Sequence, residues 1–395
     1  MHILHLSADY PDPINPRKPR AIANLVGLDD AAETFVISLN RGKGWSRLTF
    51  RDFADANGPA QRAVLYPGWP KGIGLRRGLL ALADRLAADC EARSLRPDLI
   101  HAHKLTVEGI VGWRMAQRWG IPFVLSVQGN TDLRILAAKP LLRPLLRTVW
   151  QAAAVVFPYA PWAAEGVAAR LGPRRGPIVL LPCPGPADAL IAPVLHGPRL
   201  VTAFQLADHR RKNIARLAAA AALAAQDVPG LTLDILGDGP EEVRETLARM
   251  IAARAPGVVR LAGPVTHGGV QQRFNAASAF VLVSRAESFG MVFAEALLAG
   301  TPCLFPRGQA IEGYFREGDF TLSADPQDTR AMAAAIVRMV REQAEMKARL
   351  GRAQAAGELD FLRRAAIGAR YRAGLAEALK KSIDRPETIS YLPDS

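Results

Sequence analysis

Cysteine is scarce. Cys90, Cys183 and Cys303 are an odd number in 395 residues, widely spaced and in no metal-ligand pattern. That excludes a disulfide framework or a cysteine zinc site and suggests a reducing compartment. No run approaches the roughly 20 apolar residues a membrane span requires. The opening stretch Met1–Ser7 is shorter than a signal-peptide core and meets Asp9 almost at once, so it reads as a buried strand. Low-complexity tracts are missing, and so is any Asp-x-Asp pair that would hold a divalent cation. Negative charge is thin in one half. Residues 1–195 hold 24 Lys and Arg against 15 Asp and Glu, while 196–395 hold 26 against 22, out of a net +13. A basic first half suits an anionic partner such as membrane lipid or a diphosphate carrier.

What is present is a regular alternation of short apolar runs and helix-length segments. Strands are expected at 2–6, 34–39, 99–102, 123–127, 155–157 and 178–181. A second set is expected at 200–204, 231–236, 258–261, 280–283, 303–305 and 320–322. Continuous apolar strands separated by helices imply parallel sheets covered on both faces. At this length, two doubly wound α/β domains are expected. The proline- and glycine-rich stretch from Pro182 to Pro198 marks the boundary, giving domains at 1–195 and 196–375.

The chemistry concentrates in one stretch. Ala279–Val283 is a strand-length apolar run, Arg285–Gly290 is a loop, and Met291–Ala299 reads as a helix stopped by Gly300 and Pro302. A loop feeding a helix exposes unpaired backbone N–H groups, here those of Phe289, Gly290 and Met291, to an anion. Glycine at 290 allows close approach of the backbone. Glu287 and Glu295 bracket this site with seven residues between them. A diphosphate on the amides and hydroxyls on the carboxylates would suit a sugar nucleotide.

With its flanks, Ser284-Arg285 before the first Glu, Phe289-Gly290 after it, and Glu295-Ala-Leu-x-x-Gly-Thr-Pro302, this stretch resembles the Glu-x7-Glu motif of glycosyltransferase family 4. The resemblance implies a GT-B fold of two Rossmann-like domains facing across a cleft. It implies a retaining glycosyltransferase that uses a UDP- or GDP-sugar donor, with no metal and no other cofactor. The same resemblance implies that a last helix, about 376–395, crosses back to the first domain. The acceptor is expected to be a saccharide or a lipid-linked hydroxyl in surface polysaccharide or glycolipid synthesis. The expected setting is cytoplasmic, with peripheral contact to an anionic membrane and no nucleic acid.

Carried over residue by residue, Glu295 would bind ribose hydroxyls and Glu287 the donor sugar or nearby phosphate. The cations Arg210, Arg211 and Lys212 follow the strand ending Thr202-Ala-Phe-Gln205 and would clamp the leaving diphosphate. Lys212-Asn213 matches the family lysine, whereas Gln205 stands where the family usually has Arg. Gly237-Asp-Gly-Pro240 resembles the family turn beside the nucleotide, and is equally an ordinary strand-to-helix turn. Val265 resembles a residue near the base, with His267 beyond it a helix-entry residue.

The first domain matches less closely. Its first loop lacks the family's Gly-Gly pair and offers Arg17, Lys18 and Arg20 instead, charges suited to donor phosphate or to an anionic acceptor. Gln128 replaces a His and is limited to hydrogen bonding, and Asp132 is either an ionisable substitute or a loop cap. His101 and His103 are read as pointing to opposite faces of a strand, which would argue against a shared metal. Lys139, Arg143 and Arg147 form a basic stripe beside leucines, as on an interfacial membrane helix or a helix with solvated charges. Two other functions fit the same residues. A GT-B epimerase or hydrolase of sugar nucleotides would act without an acceptor, and a basic lipid-binding scaffold would bind no nucleotide.

Overall fold

The computed structural model describes residues 1–28, 32–54, 60–68 and 72–383. The first sheet contains β1 (His2–Ser7), β2 (Glu33–Arg41), β3 (Thr49–Phe53), β4 (Ala60–Tyr66), β5 (Leu99–Ala102), β6 (Phe123–Val127) and β7 (Val156–Pro158). Its helices are α1 (Ala21–Val26), α2 (Leu75–Ala92), α3 (Val107–Trp119), α4 (Asn130–Ala138), α5 (Arg143–Ala152) and α6 (Pro161–Leu171). The second sheet contains β8 (Arg199–Ala203), β9 (Thr232–Leu236), β10 (Val259–Gly263), β11 (Ala279–Val281), β12 (Cys303–Pro306) and β13 (Thr321–Ala324). Around it lie α7 (Ile214–Ala224), α8 (Glu241–Arg254), α9 (Val270–Asn275), α10 (Met291–Leu298), α11 (Thr329–Arg341) and α12 (Gln343–Ala355), followed by the long α13 (Arg364–Ile383).

The strand orders are β3-β4-β2-β1-β5-β6-β7 and β10-β9-β8-β11-β12-β13. Every pairing is parallel except β3 with β4. Both sheets reverse their order of growth beside their first strand, and at such a switch point the loops at strand C-termini open a crevice. In the second sheet the crevice lies between β8 and β11, so the loops after Ala203 and Val281 are neighbours. That adjacency positions the site.

Two differences from the expected strands have physical causes. β3 and β4 were not anticipated, because β3 is a half-exposed edge strand with Arg51 and Asp52 at its centre, and β4 carries Gln61 and Arg62. β3 presents no apolar run, and in β4 the run is confined to Ala63–Tyr66 after that polar start. Residues 178–181 run beside β7 through an isolated bridge from Ile178 to Val156, without extending into a strand.

Helix α13 lies against the first sheet. Ile367, Tyr371, Leu375 and Ala378 share a buried cluster with Ile3, Leu99, Val124 and Phe157. Tyr371 Oη meets His101 Nδ1 at 2.7 Å, and His101 Nε2 meets Ser126 Oγ at 2.8 Å. Contact with the first sheet thus begins at Ile367, and residues 384–395 of the expected crossing segment lie outside the described residues. No described helix is long and apolar enough to cross a membrane.

Candidate functional site

β8 and β11 pair directly, Leu200 with Ala279, so the segment 204–213 faces the loop 284–290. The backbone joins them through Arg285 N–H donating to Arg211 O at 2.9 Å. Across this seam Lys212 Nζ and Glu287 Oε2 form an ion pair at 2.5 Å, each residue only 8% exposed. Ser284 Oγ donates to the same carboxylate oxygen at 3.3 Å. Asn213 adopts a left-handed backbone, φ 61°, and its Nδ2 donates to Val283 O and Pro326 O. That fixes the turn that aims Lys212. Arg211 pairs with Asp208 at 2.7 Å and remains exposed, as do Arg210 and Gln205. The three consecutive cations therefore divide into one buried and paired group and two at the surface.

Gly290 has φ 71°, and a Cβ there would meet the Phe293 ring at 2.6 Å. It ends the loop and starts α10, which has no side-chain cap at its N-terminus. The ring of Phe289 is buried edge-on against Tyr314, which leaves only its backbone to meet a ligand. Met291 and Val265 are half-buried and pack on the second-domain core. Gly237 bends tightly, since a Cβ would lie 2.0 Å from Phe204 O, and its N–H donates to Gly263 O.

Glu295 sits one turn into α10, 8% exposed, with linker residue Gly185 so close that a Cβ there would lie 2.8 Å from Oε1. Burial pushes its carboxyl up to about 7, and no described residue donates a hydrogen bond to it. A carboxylate held in this way lacks the partners a buried charge needs. Hydroxyl donors on a ligand would supply them.

Facing this edge is the first domain, and Gln309 bridges the two. Its Oε1 accepts from Glu287 N at 2.8 Å and from Asn130 Nδ2 at 3.2 Å. Gln128 is buried and donates to His103 O. Asp132 is fully buried and accepts from Leu105 N and Gln128 N. Burial raises its pKa to about 6, and it acts as the loop cap, joining the turns after β5 and β6. Lys18 corrects its expected role as an anion contact. Its ammonium is turned inward onto Asp12 Oδ2 at 2.7 Å, Ser38 Oγ and Leu39 O. Arg17 stays exposed. The basic stripe is also corrected: α4 ends before Lys139, Pro140–Leu142 form a 3-10 turn, and Arg143 Nε donates back to Leu136 O. Proline at 140 and 144 breaks the periodicity that suggested one helix.

Sequence reasoning missed Gln309, Asn130 and the group Asp9–Lys104–Glu108. Lys104 Nζ pairs with Asp9 Oδ2 at 2.6 Å, and Glu108 Oε1 accepts from Ala8 N while burial raises its carboxyl to about 7. A sequence signal existed only for Lys104, a charge directly after a strand end.

The histidines gather, contrary to expectation. The ring of His103 lies tilted with its centroid 3.9 Å from that of His101, and His5 of β1 is beside both, stacked on His103. The expectation of opposite faces fails because residues two apart in an extended segment share a face. His5 Nδ1 and His103 Nε2 are 3.0 Å apart. All three are fully buried, and burial lowers their pKa, that of His5 to about 3. One nitrogen from each ring lies within 4.8 Å of the others, the spacing of a metal triad. His101 would have to release Tyr371 or Ser126 to bind an ion.

Residues 197–342 match the family described as "Glycosyl transferases group 1", and residues 23–184 match the "Glycosyl transferase 4-like domain". The D-inositol 3-phosphate glycosyltransferase of Streptomyces avermitilis is 29% identical over 65% of this chain, and that of Pseudarthrobacter chlorophenolicus is 31% identical over 54%. The chain spans 61% and 55% of the lengths of these two relatives. Sucrose-phosphate synthase from Thermosynechococcus elongatus superposes with a TM-score of 0.69 at 19% identity, covering 95% of this chain and 100% of that one. At that identity the likeness shows the fold, which is GT-B.

Glu295 generates a stability test. Its folded pKa of about 7 exceeds the ordinary 4.5, so the folded state binds the extra proton between those values and stability falls as pH rises through them. At 1.36 kcal/mol per pH unit the full interval corresponds to about 3 kcal/mol. Glu295→Gln should therefore stabilise the ligand-free protein relative to wild type at pH 8 and not at pH 4.5, while weakening nucleoside diphosphate binding. Urea denaturation at both pH values, with calorimetry of UDP and GDP, checks this. Equal stability at pH 8, or unchanged affinity for whichever nucleotide binds, would contradict the role.

Proposed function

The chain belongs to the glycosyl transferases group 1 family, and on that premise we propose that it moves a sugar from a nucleoside diphosphate donor to an acceptor hydroxyl. The observation that carries this reading is the buried Lys212–Glu287 pair beside the open N-terminus of α10, with the unpartnered Glu295 on the same helix. The amides of Phe289, Gly290 and Met291 receive the diphosphate, and Glu295 receives the ribose hydroxyls. Glu287, oriented by Lys212, Ser284 and the Gln309 bridge, accepts from donor-sugar hydroxyls. As the glycosidic bond to phosphate breaks, negative charge grows on the departing diphosphate. Lys212, the two exposed arginines and the helix N-terminus oppose it. The acceptor oxygen attacks the same face of the sugar, and its proton passes to the leaving phosphate oxygen, which retains configuration.

An anionic acceptor is supported by the +9 balance of residues 1–195. The inositol phosphate in the relatives' names also favours it. The setting we favour is glycolipid or surface polysaccharide synthesis at a cytoplasmic membrane face. Ile73 and Leu141 are 70% and 95% exposed, and Lys139 Nζ lies 3.1 Å from where a side chain on Gly72 would begin. These two apolar tips thus share a neighbourhood with Lys139, Arg76 and Arg77, which suits an anionic bilayer.

Removing one partner of a buried ion pair leaves a bare charge and costs about 3–5 kcal/mol. Lys212→Met should therefore lose both stability and turnover. In Lys212→Met/Glu287→Gln the stability should return while turnover stays roughly 10²–10³ below wild type. Urea denaturation and transfer assays with UDP- and GDP-sugars measure the two quantities, and a double variant that regains turnover would make the pair structural only. Membrane contact is read separately by sedimentation with anionic vesicles. Ile73→Ser/Leu141→Ser should reduce partitioning at least about tenfold, since burying one such side chain is worth about 1.5–3 kcal/mol. Equal partitioning would remove the membrane.

A further inference from the structure

A second opening lies at the C-terminal edge of the second sheet, on the β12–β13 side of the loop 284–290. It is a cavity of about 480 Å³ lined by Arg216 of α7, Arg285, Arg307, Gln309, Asp325 and Gln327. These residues come from the ends of three adjacent strands and the start of one helix, so the fold converges on it as it does on the Lys212–Glu287 seam. Three guanidiniums face one carboxylate there. None of the three pairs with an acid within 4.0 Å among the described residues. Each has one hydrogen bond to a neutral oxygen: Arg216 Nη1 to Pro326 O at 3.1 Å, Arg285 Nε to Asn213 Oδ1 at 3.3 Å, and Arg307 Nε to Ser323 Oγ at 3.4 Å. Asp325 is turned to its own loop, where Oδ1 accepts from Gln327 N at 2.7 Å.

We infer that this cavity is a binding site for a phosphate-bearing anion, distinct from the nucleotide site. A guanidinium carries five N–H donors in a planar fork that matches phosphate, and here most of those donors have no protein acceptor. Three such forks around one cavity suit a doubly charged group with several terminal oxygens better than a single carboxylate. The site shares no anion contact with the groups assigned to the donor diphosphate. It touches them only through the loop 284–290 and through Gln309, whose Oε1 accepts from Glu287 N. Two sources offer the same chemistry, free phosphate and the phosphate of a phosphorylated sugar.

The test is calorimetric titration of inorganic phosphate and of a hexose phosphate into the full chain at constant chloride, with and without saturating UDP. Both probes should bind whether or not UDP is present. Arg307→Gln, a change at an exposed side chain, should weaken them at least tenfold, Arg307→Lys should restore part of the loss, and Arg216→Gln should repeat it. Tighter binding of the hexose phosphate would identify the ligand as a phosphorylated sugar, and equal binding as free phosphate. No binding of either probe would overturn the assignment. So would binding that UDP abolishes and Arg307→Gln leaves unchanged, because the anion would then occupy the donor site. The arginine variants decide the matter even in a protein that binds no UDP.

Discussion

The Lys212–Glu287 ion pair is the contact on which the arrangement of the second domain's edge depends. Two charges taken out of water cost several kcal/mol each, and their attraction repays this only with good geometry and further hydrogen bonds. Here those conditions are met by position. β8 and β11 are neighbours at the switch point of the sheet, so the loops after them must pass one another. Asn213 in its left-handed turn, Ser284 and Gln309 then hold the two partners in place. Such a pair is weak support for stability but strong support for geometry. It fixes where the Glu287 carboxylate stands relative to the amides that open α10, the geometry on which the proposed sugar-nucleotide site rests.

Glu295 illustrates the opposite economy of design. Its carboxyl is buried on an apolar helix turn, closed over by the linker at Gly185, and without a donor among the described residues. Its burial is expected to make the ligand-free fold less stable above neutral pH. A ligand bearing hydroxyls removes that penalty on binding, so the same burial that weakens the empty protein raises the differential affinity for an occupied one.

Much of this was legible beforehand, and the reason is periodicity. Buried parallel strands such as 99–102 and 123–127 are continuous apolar runs, and the Glu-x7-Glu spacing places its two acids on a loop and the helix that follows it. What escaped was set by tertiary contact. β3 carries charges because it lies at the sheet edge, and β4 beside it opens on Gln61 and Arg62. Lys18 looked like a free cation until Asp12 and Ser38 were found folded over it. His101 and His103 are two apart in an extended segment and so share a face, and the reading that set them on opposite faces mistook the strand period. Arg216, Arg285 and the Arg307–Gln309 segment lie far apart in sequence, and only the meeting of α7 with the ends of β11, β12 and β13 brings them together.

The central claim is that a nucleoside diphosphate sits on the amides of Phe289, Gly290 and Met291, opposite the segment 205–213. Hydrogen exchange followed by mass spectrometry, with the protein free and saturated with UDP or GDP, reads those amides directly. Slowed exchange is expected in peptides spanning 284–292 and 205–213, with peptides from α2 and α12 unchanged. A nucleotide that binds yet leaves 284–292 exchanging at the free rate would contradict the account.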